Sequence, residues 1–228
     1  MNFWSTQEEI KFFDQMLNSN FLAIEKVFYK IDNEYFAYIP TGIKNINQTL
    51  QSRNSYIGDY TETWCKNFLT PIASKLGLFV VQNVICEEIG LNKSSGADLA
   101  FCTTNEQYQK PENIKIIFEV KMSIVSNYKL IDGKVVWYSD YHKHQGIPSL
   151  LRSDSMLKAI GKAISVRVYS SKSANIPIII IGNTPISKNY ENKVDHLKIS
   201  GVIQSFINIF PNLTENVFTK ESKGGELS

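Results

Sequence analysis

Cysteine is scarce in this chain, three among 228 residues. Cys65, Cys86 and Cys102 are odd in number, sit in apolar surroundings and lack metal-ligand spacing. That argues against a disulfide scaffold and predicts reduced core residues in a cytoplasmic protein. Long hydrophobic runs are missing too: nothing approaches the ~20 apolar residues a membrane helix needs, and the opening MNFWSTQEEIKFFDQM has no signal-peptide pattern. No Walker-type glycine-rich loop occurs, which argues against an ATP-driven system. Neither a membrane nor ATP is therefore expected as a partner. Charge of one sign is also short: 24 Lys and Arg stand against 22 Asp and Glu, a net of only +2.

What is present is enough for a core. A hydrophobic fraction of 43% over this length suits one sizeable domain, or a core with an appended subdomain. The informative stretch runs from Ser94 to Ser123. It contains Gly96-Ala97-Asp98, a polar connection, and the β-branched run Ile114-Lys115-Ile116-Ile117-Phe118-Glu119-Val120-Lys121, which reads as a strand. Residues two apart on a strand share a face, so Glu119 and Lys121 project together, away from Phe118 and Val120. If the Asp98 segment pairs with this strand as an antiparallel neighbour, two carboxylates and a lysine converge. Such a set suits a hard divalent cation with an amine beside it. Mg²⁺ takes one or two carboxylates plus water and substrate phosphate, and an ammonium there can orient a water or donate to a phosphate as it gains charge. An ordinary cross-strand Glu–Lys pair on a surface hairpin is the bland alternative for these residues.

The pattern Gly96-Ala97-Asp98 followed by Ile117-Phe118-Glu119-Val120-Lys121 resembles the signature of the PD-(D/E)xK nuclease superfamily, with Ala97 where the proline of the name would stand. The resemblance covers mainly residues 57–182. It implies an α/β fold with a mixed central sheet flanked by helices; the chain read in order adds an N-terminal addition (1–56), a core (57–218) holding an inserted hairpin (125–147), and a disordered tail (219–228). It implies Asp98 and Glu119 as ligands of Mg²⁺ (Mn²⁺ substituting), Lys121 as the residue serving the nucleophilic water, and Glu62 as the acidic residue on the helix before the sheet. The resemblance implies cleavage to 5′-phosphate and 3′-hydroxyl ends; size and architecture then suggest a type II restriction endonuclease, a homodimer cutting double-stranded DNA. A junction-resolving or repair nuclease of the same fold, and a non-catalytic DNA-binding module, are the alternatives.

In chain order, Thr6-Gln7-Glu8-Glu9 reads as a capping box opening a helix to about Leu17. Phe21 to Pro40 reads as a hairpin turning at Asp32-Asn33, and Thr41 to Tyr56 as a polar loop or loosely held helix. A helix is expected from Gly58-Asp59 with Tyr60, Trp64, Phe68 and Leu69 on its apolar side, Pro71 kinking it and Gly77 ending it. Leu78 to Ile85 supplies a first core strand. Asp132-Gly133 between apolar runs marks a hairpin. A helix follows Pro148-Ser149, with Met156, Leu157, Ile160, Ala163 and Ile164 apolar, and Ile176 to Ile181 is a buried strand reached by a crossover. Lys188 to Lys198 is simply polar, and Val202 to Phe210 fits a helix.

DNA contacts are sought where basic charge gathers. Residues 115–172 hold ten Lys and Arg against four acids, an excess that suits phosphate neutralisation. The inserted hairpin and His142, Lys143, His144 and Gln145 are candidates for base reading. Arg152, Lys158 and Lys162, on the helix that follows, are candidates for phosphate contact. The two histidines lack a third metal-ligand partner. Trp4, Phe12, Phe13 and Phe21 are candidates for the dimer contact, with packing inside their own subunit as the alternative.

Overall fold

A computed structural model describes residues 3–19, 22–44 and 49–209. Along the chain run α1 (Thr6–Asn18), α2 (Ile24–Val27), β1 (Tyr29–Ile31), β2 (Glu34–Phe36) and α3 (Gln51–Lys75). Then come β3 (Phe79–Val84), β4 (Ala97–Cys102), β5 (Ile114–Lys121), β6 (Asn127–Ile131) and β7 (Lys134–Ser139). The described chain closes with α4 (Ser153–Tyr169), β8 (Ile178–Gly182), α5 (Lys188–Ile199) and β9 (Ser205–Asn208). The protein is α/β, with two sheets flanked by helices, and the described residues divide into two units: one is built mainly from 61–122 and 149–209, the other from 4–60 and 123–148.

The first unit holds a five-stranded sheet in the order β3-β4-β5-β8-β9. β3, β4 and β5 are antiparallel neighbours, while β5, β8 and β9 run parallel. Strand alternation sorts the side chains. Ala100, Ile117, Ile180 and Phe206 join Met156, Ala159, Ala163 and Val166 of α4, and Tyr190 and Val194 of α5, in one buried cluster. Leu99, Phe101, Phe118 and Val120 take the other face, where the Phe101 and Phe118 rings meet edge-on at 4.8 Å. The continuous isoleucine run of β8 fits a strand covered on both sides.

Several expectations change here. Residues 202–209 are not helical: Ser205–Asn208 is the parallel edge strand β9, its Phe206 buried and registered against Ile180, and Phe210 lies outside the described residues. Lys188–Ile199, which looked merely polar, is a helix held by Tyr190 and Val194. Leu157 and Ile164 point outward, 59% and 42% exposed, because the buried stripe of α4 runs through Met156, Ala159, Ala163 and Val166 instead. The tail at 219–228 lies outside the described residues.

The second unit holds an antiparallel sheet in the order β1-β2-β6-β7. Both hairpins form at the anticipated turns. Asp32 and Asn33 have φ of 46° and 67°, and Asp132 and Gly133 have 48° and 74°, the left-handed pairs that match the twist of the flanking strands. The inserted hairpin is not an excursion of the core: β6 pairs with β2, so the expected boundary after residue 56 gives way to a unit that joins the N-terminal segment to 123–148. The α3 helix starts at Gln51, not at Gly58-Asp59, since Leu50, Arg53 and Ile57 are buried and hold the earlier turns. Its buried positions in the other unit are Thr61, Cys65, Leu69 and Ala73, one step round from the aromatic stripe read in sequence.

The capping box also fails. Ser5 is the N-cap of α1, with no side-chain cap bond, and Glu9 is fully buried. Its carboxylate accepts from Trp4 Nε1 (3.0 Å), Val125 N (2.6 Å), Ser126 N (3.0 Å) and Tyr128 OH (2.8 Å). Trp4, Phe12 and Phe13 are buried in their own chain, so they are not the dimer contact; Phe21 lies outside the described residues. All three cysteines are buried and free. Among the described residues no helix is long and apolar enough to cross a membrane.

Candidate active site

The site forms where β4 and β5 part. Their ladder is regular from Phe101↔Ile116 to Leu99↔Phe118, which sets Asp98 opposite Glu119. At that point a side chain replaces the backbone partner: Asp98 Oδ2 accepts from Val120 N at 2.8 Å. On its other side the start of β4 lies tight against β3, where only glycine fits: a Cβ at Gly96 would meet the Val84 carbonyl oxygen at 2.8 Å. Glu119 and Lys121 project from the same face of β5, as their spacing required.

Two ammoniums close on the two carboxylates. Lys121 Nζ lies 2.6 Å from Glu119 Oε1 and 3.6 Å from Asp98 Oδ2. Lys162 Nζ, from α4, lies 2.9 Å from Asp98 Oδ1 and 2.5 Å from Glu119 Oε2. Each lysine thus bridges both acids. Side-chain exposure falls from 22% at Lys162 and 20% at Lys121 to 14% at Asp98 and 6% at Glu119, so the ammoniums are the more accessible layer. Burial raises the Glu119 pKa, the Asp98 charge adds to the rise, and the two lysines work against it. For Lys162, burial opposes the charge, but Glu119 and Asp98 outweigh it and the pKa stands above its ordinary value.

The end of β5 is clasped from behind. Ser149, buried and at φ 48°, donates its hydroxyl to the Lys121 carbonyl and accepts from Asn183 N at 3.1 Å. Gly182 pairs with Lys121 across β5 and β8, and a Cβ on it would overlap Leu150. The clasp fixes the backbone from which Lys121 extends. Sequence reading missed Ser149; the Pro148-Ser149 pair looked only like a helix start.

Glu62 sits half-buried on α3, where Gln82 Nε2 donates to its Oε2 at 3.4 Å. It does not join Asp98 and Glu119 in a three-carboxylate group, for none forms among the described residues. Burial lifts the Cys65 thiol pKa well above its ordinary value, and the charges of Glu62 and Asp98 add to it, so this cysteine is inert packing.

The expected DNA-contacting residues divide between the units. Lys158 is 74% exposed, 3.8 Å from Asp154, and Arg152 forks onto the same carboxylate; Lys162 belongs to the carboxylate cluster and not to the outer surface of α4. In the other unit His144 is buried, stacked on Tyr38 at 4.4 Å with Nε2 at 3.0 Å from the Val125 carbonyl. Burial holds its pKa below the ordinary histidine value. That ring is engaged in packing and is not placed to read bases. The Gln145 amide donates to the Ile43 carbonyl (2.6 Å) and the Pro40 carbonyl (3.3 Å), tying its loop to the segment at 40–43. His142 and Lys143 remain exposed, the former against the Tyr141 ring.

Asp98 and Glu119 fit a hard divalent cation: they offer oxygen donors only, two carboxylates already engaging positive charge, Asp98 partly open to solvent and Glu119 buried. They lack the nitrogen and sulfur donors of a structural zinc site. Compared with known proteins, the chain matches no family model, no curated protein and no solved structure at a significant level.

Proposed function

We propose that this chain is a divalent-cation-dependent endodeoxyribonuclease of the PD-(D/E)xK kind, acting on double-stranded DNA as a homodimeric type II restriction endonuclease. The observation that supports it is the meeting of Asp98, Glu119 and Lys121 at one strand fork. Asp98 and Glu119 would hold Mg²⁺ or Mn²⁺, which supplies activation of water and neutralisation of phosphate charge. Val120 N–H fixes the Asp98 carboxylate. Lys121, its backbone clasped by Ser149, orients the attacking water or donates to a phosphate oxygen. The water oxygen bonds to phosphorus as the bond to the 3′-oxygen breaks; one water proton goes to solvent and the leaving oxygen takes one up. The products are 5′-phosphate and 3′-hydroxyl ends.

Digestion of a mixed plasmid and phage DNA panel with Mg²⁺, with the ends mapped, should yield discrete fragments carrying 5′-phosphates. Asp98→Ala, Glu119→Ala and Lys121→Ala should each lower the rate by at least ~100-fold. Cleavage by Glu119→Ala at the wild-type rate, or in excess EDTA, overturns the reading. Preference for branched substrates would point to a junction-resolving nuclease, and binding without cleavage to a DNA-binding module.

A further inference from the structure

We infer that Lys162 is a second working ammonium of this site, matched to the charge of the transition state and not to the resting phosphate. The inference rests on the nuclease reading above. Three observations carry it. Lys162 contacts both carboxylates closely, at 2.9 and 2.5 Å, on the oxygens opposite those Lys121 uses. It reaches them from α4 at the margin of the buried stripe, between Ala159 and Val166, where the packed helix fixes its root. The other cations of that helix start behave differently, both leaning on Asp154 in solvent.

Charge counting gives the role. Two carboxylates and two ammoniums cancel, so the four side chains are formally neutral together. A bound divalent cation would leave two positive charges in excess. A phosphodiester carries one negative charge, and addition of hydroxide makes the five-coordinate phosphorus species doubly negative. With Lys121 alone the excess would equal the charge of the bound substrate. With Lys162 it equals that of the transition state, and an interaction stronger there than in the ground state raises the rate of the chemical step. Because Lys162 already holds Asp98 Oδ1 and Glu119 Oε2, the same ammonium would oppose the binding of a cation by these carboxylates.

Lys162→Met keeps the stem and removes the charge. Single-turnover cleavage should fall ~100-fold, the cost of one transition-state donor, while DNA affinity measured in Ca²⁺ should change by less than roughly tenfold. Binding of Mn²⁺ alone, followed by calorimetry or electron paramagnetic resonance without DNA, should tighten by roughly tenfold or more as a neighbouring positive charge is removed. Lys162→Gln should show the same pattern and serves if the Met protein does not fold; Lys162→Arg should return Mn²⁺ affinity toward wild type. Wild-type cleavage by the neutral variants, a DNA-affinity loss as large as the rate loss, or unchanged Mn²⁺ affinity overturns the role given to Lys162. A wild-type protein that neither binds Mn²⁺ nor cleaves DNA removes the nuclease reading itself.

Discussion

Glu9 gives this protein a pH-dependent stability that one substitution should erase. The carboxylate is completely buried, and burial drives its pKa from 4.5 to about 7, against the pull of Trp4, Val125, Ser126 and Tyr128, which all donate to it. A carboxyl whose folded pKa is raised holds its proton more tightly folded than unfolded. Its contribution is fully present below pH 4.5 and is lost as the pH rises to about 7. At 1.36 kcal/mol per unit the loss is about 3 kcal/mol, flat above that range. His144 acts in the opposite sense: its pKa is depressed below 6.5, so its contribution is present above that value and fades as the pH falls. The measurement must therefore be a difference. Wild type and Glu9→Gln are unfolded in urea from pH 4.5 to 8, followed by fluorescence; Trp4 donates to the carboxylate itself. Glutamine does not titrate, so wild-type minus variant stability should fall by about 3 kcal/mol across the lower part of that range and then level. A flat difference refutes the reasoning. A rising one shows that the four donors outweigh burial and hold the folded pKa below its unfolded value.

Gly182→Ala should destabilise by ~1–3 kcal/mol, since the new methyl overlaps Leu150 at the strand end opposite Lys121; a chemical-denaturation midpoint at the wild-type position would refute it. Arg53→Ala should cost ~3 kcal/mol or more, because the buried guanidinium donates to the Val27 and Ala37 carbonyls and faces the Tyr29 and Tyr38 rings. A thermal midpoint within a degree or so of wild type would contradict that account.

Short-range chemistry was readable from residues alone. The β-branched run of β5 and the Asp-Gly turn are local signals, and each formed where it was read. Strand alternation put Glu119 and Lys121 on one face before any partner was known, and antiparallel pairing needed only the right register to bring Asp98 opposite. The isoleucine run after α4 announced a buried strand, and it lies parallel to β5. What the residues alone could not decide was the destination of polar side chains. Lys162 reads as one more cation on an amphipathic helix, and only the packing of α4 over the sheet turns it onto acids 64 and 43 residues away. Glu9 has the spacing of a capping box, yet the Val125 and Ser126 N–H groups, 116 and 117 residues on, claim it instead. Gln145 and His144 look like a reading loop until carbonyls and a stacked ring absorb them. β9 shows no strand pattern by itself and becomes one because β8 leaves an edge to fill. Periodicity encodes which face of an element is apolar. Which buried charge meets which partner depends on contacts between segments far apart in the chain, where one hydrogen-bonding choice excludes another, and only the folded chain makes that choice.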